Sequence, residues 1–168
     1  MINIRNATLD DIPLINSLAR IAWPATYSNM LSKEQLNYMF EMMYSLDSLK
    51  IQMTEKKHNY FILFDDDTPH GYISIHIVDG EILYLEKIYV LPESQGKGYG
   101  ELLLKKAEEF ALSHSLYKIR LNMNRENKSR YFYEHLGFKI IGERDFHIGQ
   151  GFYMNDYILE KSLLEKES

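Results

Sequence analysis

Gln95-Gly96-Lys97-Gly98-Tyr99-Gly100 sets three glycines in alternation directly ahead of an amphipathic run, Glu101 to His114. Glycine costs backbone entropy wherever it is ordered, so three together need a reason. The first N–H groups of a helix have no partner within it, and that end carries partial positive charge. Glycines before such an end let a phosphate reach the backbone with no Cβ in the way, and Lys97 adds a positive charge. The segment reads as a cradle for a phosphate or pyrophosphate; the plainer alternative is a glycine-rich turn that holds nothing. Two nucleotide cradles do not fit. G-x-G-x-x-G would need a glycine where Glu101 stands, and no Gly-Lys-Ser or Gly-Lys-Thr occurs in the chain.

A strand must deliver this loop and a helix must follow it. Ile82 to Leu91 is apolar at alternate positions on both faces, Ile82, Tyr84, Ile88 and Val90 on one and Leu83, Leu85, Tyr89 and Leu91 on the other. That is the pattern of a central strand covered on both sides, with Glu86 as its one interruption. After the loop, Leu102, Leu103, Ala107, Phe110 and Ala111 form a helical stripe. Ahead of the strand lie a short strand, "INIR", and a helix start at Thr8, Asp11 and Pro13. Ile12, Ile15, Leu18, Ala19 and Ala22 make that helix's apolar face, and its pattern breaks at Pro24. Two more helical patterns fill residues 32–57, on Leu36, Met39, Phe40 and Met43 and then on Leu46, Leu49 and Met53. "YFILF" and "YISIHIV" read as strands around the turn cluster "DDDTPHG", and Asp79-Gly80 as a hairpin turn. Downstream come strand "KIRLNMN", short helix "NKSRYFYEHL", strand-like runs 138–148 and 152–159, and a charged tail, "EKSLLEKES", expected to fray. Hairpin strands followed by strands alternating with helices predict an α/β or α+β fold with a mixed sheet.

Composition narrows the classes. The chain has 168 residues, 45% apolar and 26% charged, which suits one globular domain with no linker or repeat. It has no cysteine, so no disulfide or thiolate metal site, and a reducing cytoplasm fits it. Net charge is −5, which argues against nucleic acid. No apolar run approaches the roughly 18–20 residues of a membrane span, and the N-terminus lacks the pattern of a secretory leader. His58, His70, His76, His114, His135 and His147 show no metal-ligand spacing, so no metal is expected, and His76, among apolar neighbours, reads as a core group. Without a G-x-S-x-G elbow or a cysteine, a covalent acyl-enzyme has little support.

"VLPESQGKGYGELLL" resembles the Q/R-x-x-G-x-G/A signature of the GNAT acyl-CoA N-acetyltransferase superfamily, with Gln95, Gly98 and Gly100 in its fixed places. About thirty residues on, "SRYFYEHLGF" is similar to the second signature, a helix bearing Phe-Tyr and ending in Gly-Phe. The pair at this separation is far more specific than either alone, and the resemblance covers residues 59–160 well and 1–57 more loosely. "LEKIYV", "FYEHLGF" and the closing D-x-x-L-x-K-x-L, Asp156 to Leu163, look most like the bacterial PaiA-type polyamine acetyltransferases. The resemblance implies a mixed, mostly antiparallel sheet of about seven strands, splayed between strands four and five, flanked by helices and holding acetyl-CoA in the split. It assigns the backbone of Gln95, Gly96, Lys97, Gly98, Tyr99 and Gly100 to the pyrophosphate and that of Ile88, Tyr89 and Val90 to the pantetheine arm. Tyr133 matches the residue that protonates the departing thiolate. The family Asn seven residues before that Tyr is replaced by Glu126; its neighbour Asn127 either does the same work or caps the helix. Asn127 and Ser129 are assigned to the cofactor on this basis.

Transfer to an amine needs a polarised thioester, a neutral amine and a proton for the thiolate. Backbone N–H groups can serve the first. Glu86 is the candidate base, direct or through water, if burial raises its pKa; its plainer readings are a surface Glu or one paired with a cation. Tyr133 likewise has the plainer role of a core tyrosine beside Phe132 and Leu136. Trp23, Tyr27 and Tyr38, with Glu34 and Glu41, would suit an aliphatic polyamine through cation–π and charge contacts, or simply build the helical cover. The expected function is direct acetyl transfer to a small-molecule primary amine, polyamine first. Transfer to a protein N-terminus or lysine and a non-catalytic acyl-CoA-binding module stay open, as does a homodimer.

Overall fold

The computed structural model describes residues 1–164. They fall into two compact units. One takes Met1–His76 and Lys87–Ala107; the other takes Ile77–Glu86 and the residues from Glu108 onward. Among the described residues, seven strands hydrogen-bond in the order β1-β2-β3-β4-β5-β7-β6. They are β1 (Ile2–Asn6), β2 (Asn59–Asp65), β3 (Thr68–Val78), β4 (Ile82–Val90), β5 (Lys118–Asn124), β6 (Lys139–Gly149) and β7 (Phe152–Ser162). The registered pairs are antiparallel except in β4 and β5, which run parallel through Leu83↔Ile119 and Tyr84↔Arg120 at the start of both strands. The mixed sheet expected from the sequence is present. So is β7 as far as Ser162, where the sequence suggested a frayed tail from Glu160: Lys118↔Ser162 and Ile119↔Lys161 pair it to β5. The last four residues of that tail lie outside the described residues.

In the first unit, α1 (Ile12–Tyr27), α2 (Lys33–Tyr44) and α3 (Leu46–Thr54) precede β2. Thr8 and Asp11 form the expected capping box, and Arg5 grips Asp11 through both carboxylate oxygens at 2.7 and 2.8 Å. Ser32 and Ser45 cap α2 and α3 by accepting the Gln35 and Ser48 N–H. Ile12, Ile15, Leu18, Ala19, Ala22 and Trp23 are buried, each large apolar side chain worth roughly 1.5–3 kcal/mol. Contrary to the break expected at Pro24, α1 runs on to Tyr27 with that proline inside it. Proline removes a single ladder bond here, and its own carbonyl accepts the Ser28 N–H at 2.9 Å. Trp23 and Tyr27, one turn apart with their rings tilted at 45° and 4.3 Å between centroids, hold the last turn down.

The helix after the loop, α4 (Tyr99–Ser113), buries Leu103, Leu104, Ala107 and Ala111. Leu102, expected in this stripe, is 38% exposed, lying at the edge of the inward row formed by Leu103, Ala107 and Ala111. Gly71 on β3 explains how closely this helix packs: a Cβ there would lie 2.6 Å from the Tyr89 carbonyl oxygen and 3.3 Å from Leu103 Cδ1. Gly71→Ala should therefore destabilise the protein by about 2 kcal/mol or more, read as a fall in thermal midpoint. A variant as stable as the parent would show that β4 can shift freely.

Candidate functional site

The glycine segment leaves β4 through a single 3-10 turn, Pro92–Ser94, and enters α4 at Tyr99. His70 supports both ends of it. Its carbonyl accepts the Leu91 N–H at 2.9 Å, its Nδ1 bonds Ser94 Oγ at 2.6 Å, and its ring lies 5.0 Å from that of Tyr99. Tyr99 in turn donates its hydroxyl to Asp65 at 3.0 Å. Gln95, Gly96, Lys97 and Gly98 are exposed, while Tyr99 is buried. Gly98 has φ +81° and Gly96 +83°, a region that L side chains rarely adopt, and a Cβ on either would meet nothing within 4 Å. Leu102 N–H bonds back to the Gly98 carbonyl, so the amides before it at the head of α4 have no partner inside the helix. The loop is thus an open nest of amides with a lysine beside it, and it fits a pyrophosphate on both shape and charge.

Ile88, Tyr89 and Val90, on the strand that feeds the loop, are half-buried. Below them the sequence reading needs correction, since β4 is not apolar on both faces. Lys87 is 4% exposed, its Nζ donating to Gln52 Oε1 at 2.9 Å, Tyr60 Oη at 2.6 Å and the Met43 carbonyl at 3.2 Å. It also sits 4.3 Å over the Tyr44 ring. The lysine was legible only as an ordinary strand residue; no spacing marks a cation whose partners come from α2, α3 and β2. Each of its oxygen acceptors on Gln52 and Met43 has a second donor, Tyr60 Oη and Gln52 Nε2. Lys87→Met should accordingly unfold near the parental midpoint, whereas Lys87→Ala opens a cavity and costs about 2–4 kcal/mol. Equal losses in thermal melts would mean that the ammonium itself is essential.

The aromatic residues sort themselves by depth. Trp23 is 2% exposed and donates Nε1 to the Leu36 carbonyl, so it belongs to the core. Tyr44 and Tyr72 are fully buried and share a hydroxyl bond of 2.8 Å, and burial pushes both phenols well above their ordinary pKa. Tyr27 is half-buried, its hydroxyl 3.0 Å from that of Tyr89. Tyr38 is half-buried on α2, and Glu34 and Glu41 are exposed there. The rings of His58 and His76 stack at 4.2 Å; burial first, then the charges of His76 and Lys87, hold His58 down at about 3.

In the second unit, Glu86 is exposed, not buried in β4 as a base in that strand was expected to be. Tyr133 is 7% exposed on α5 (Arg130–His135), its ring edge-on to Phe132 at 5.3 Å and Phe138 at 5.6 Å. Asn127 Oδ1 accepts the Ser129 N–H at 2.9 Å, which makes it the cap of the turn before α5. Ser129 and Glu126 are exposed.

Residues 15–138 match the model of the acetyltransferase (GNAT) family. The chain belongs to this family. This GNAT protein is 29% identical to the spermidine N(1)-acetyltransferase of Thermoplasma acidophilum over 83% of its own length and 89% of the relative's. Its fold superposes on the crystal structure of PaiA N-acetyltransferase from Thermoplasma acidophilum in complex with coenzyme A with a TM-score of 0.81, at 26% identity, covering 96% and 99% of the two chains. The ribosomal-protein-S18-alanine N-acetyltransferase of Escherichia coli shares the fold alone, at TM-score 0.73 and 17% identity, over 99% and 97%. Family membership makes the protein an N-acetyltransferase that uses acetyl-CoA, which suits the amide nest at Gln95–Gly100. No helix among the described residues is long and apolar enough to cross a membrane.

Proposed function

We propose that the protein transfers the acetyl group of acetyl-CoA to a primary amine of a small molecule, a spermidine-like polyamine in the first place, by direct transfer in a ternary complex. The observation that carries this reading is the similarity to a spermidine N(1)-acetyltransferase along most of both chains. The amides of Gln95 to Gly100 and the Lys97 ammonium hold the pyrophosphate. The backbone of Ile88, Tyr89 and Val90 pairs with the pantetheine arm and polarises the thioester. Tyr133 supplies the proton that the departing sulfur needs, and Glu86 offers an exposed carboxylate to the incoming ammonium. Tyr27 and Tyr38, with exposed Glu34 and Glu41 nearby in sequence, offer rings and charge to an aliphatic cation. Holding both reactants in line contributes the largest share, roughly 7–11 kcal/mol of the barrier.

An acceptor panel tests the reading. CoA release should require both acetyl-CoA and an amine, with spermidine or spermine among the best acceptors. Activity on peptide N-termini with silence on polyamines would move the acceptor to proteins. Acetyl-CoA binding with no turnover on any amine would defeat the catalytic reading.

A further inference from the structure

The strand face of the second unit that carries Glu86 holds a second carboxylate of different character. Tyr84 stands opposite Arg120, Asn124 opposite Asp156 and Arg144 opposite Asp156. Since opposed residues share a face and every second residue repeats it, Tyr84, Glu86, Arg120, Asn124, Arg144 and Asp156 all line one side. Two acids of this region are committed to cations. Glu160 takes Arg120 at 2.8 and 3.1 Å and Lys118 at 3.6 Å, and Asp145 takes Arg125. Asp156 is not. It is 4% exposed, yet its carboxylate accepts no hydrogen bond among the described residues, and only its main-chain oxygen is engaged, by Arg125 Nε at 3.3 Å. Its oxygens are not among the sealed, unbonded side-chain atoms of the described residues, so they keep contact with solvent and a ligand can reach them.

Building on the amine-acetylating reading above, we propose that Asp156 is the residue that seats the acceptor's ammonium and removes its proton, with exposed Glu86 as the station that draws the cation in. The chemistry balances without a further reactant. Asp156 takes one proton from R–NH3+ and later gives it to water. The freed lone pair forms the C–N bond to the acetyl carbon as the C–S bond breaks, and its electron pair leaves on sulfur. The proton that nitrogen sheds as the amide forms reaches sulfur by way of Tyr133, giving CoA thiol.

The electrostatics agree with a base that works near neutrality. Burial raises the Asp156 carboxyl to about 6, against the downward pull of Arg125 and Arg144. Tyr84, facing it from β4, has its phenol raised by burial first and then by the charges of Glu86 and Asp156, with Arg144 and Arg120 opposing. Facing groups from each neighbouring strand are thus Tyr84 and Glu86 on β4, Arg120 on β5 with Arg125 just after it, and Arg144 on β6. A folded-state pKa above the unfolded value means stability that is present below about 4 and lost as pH rises through about 6. At pH 7.5 the ionised carboxylate therefore burdens the fold.

The test compares the intact protein with Asp156→Asn and Glu86→Gln. For the parent, kcat/KM for spermidine should fall as pH drops through about 6. In Asp156→Asn that limb should vanish and kcat/KM at pH 7.5 should fall roughly 10²-fold or more, with KM for acetyl-CoA unchanged. Glu86→Gln should keep the limb. Asp156→Asn should melt at or above the parental temperature at pH 7.5, which a purely structural carboxylate would not allow. Calorimetric binding of spermidine to the CoA-loaded protein gives a readout independent of turnover, and Asp156→Asn should weaken it about tenfold. Persistence of the limb, parental kcat/KM or parental spermidine binding in Asp156→Asn would overturn the proposal while leaving the enzymatic reading intact. A parent that acetylates no amine but binds spermidine through Asp156 would do the reverse.

Discussion

Tyr133→Phe should lower kcat by roughly 10²- to 10⁴-fold and leave both the fold and the KM for acetyl-CoA nearly unchanged. The ring stays, and with it the edge-on contacts to Phe132 and Phe138 that anchor α5. The Phe138 N–H on the Tyr133 carbonyl, at 3.0 Å, involves main chain alone and survives the change. What disappears is one hydroxyl, the group that the proposed mechanism uses to protonate the leaving sulfur. Positioning and backbone polarisation remain, so activity should drop without reaching zero. The loss should also shrink for an acyl donor whose leaving thiol is more acidic, since such a thiolate departs without help. A variant melting well below the parent with kcat intact would make Tyr133 a core residue and nothing more.

Gly100→Ala should raise the KM or Kd for acetyl-CoA about tenfold to a hundredfold and not reduce stability. Gly98 is a poorer probe, because its φ of +81° means that any side chain strains the loop even with no ligand present. Gly100 has no such restriction. It is the second residue of α4, where alanine is favoured over glycine by up to about 1 kcal/mol. On the proposed reading, a methyl group at the head of the helix crowds the approach of the phosphate to the free amides. Losing one or two charge-assisted hydrogen bonds, at about 1.5–3 kcal/mol each, gives the stated range. Isothermal titration with CoA alongside thermal melts separates the effects. Equal affinity in the variant would return the glycines to a purely structural role.

These two predictions rest on segments that were readable from the chain alone, and the reason is local. A glycine cradle needs three particular residues in a row before a helix, and a helix cap needs Thr8 and Asp11 three apart; both are written in short-range spacing. The same holds for the hairpin turn at Asp79-Gly80, for β5 at "KIRLNMN" and for the paired signatures that led to the family. Errors arose where distant contacts overrode the local pattern. Pro24 looked like a helix end until Trp23 packed against Leu36 and Tyr44 from the next helix. β4 looked apolar on both faces because alternation does not distinguish a lysine bound for solvent from one bound for a polar seat. Leu102 looked buried because it borders the inward row of Leu103, Ala107 and Ala111, and packing against distant residues decides which edge of an apolar stripe is covered.

The sequence by itself marked the donor side: three alternating glycines, a lysine and a following helix make a candidate pyrophosphate nest, and the second signature thirty residues on pointed to the family. Only the tertiary structure decided how the charges are distributed. Lys87 is sealed among Gln52, Tyr60 and Tyr44, Glu86 is left in solvent, and Asp156 is buried beside Asn124 and Arg144, its carboxylate accepting no hydrogen bond among the described residues. Burial and hydrogen-bond satisfaction are properties of residues far apart in the chain, and they set which acid can hold or release a proton near neutral pH.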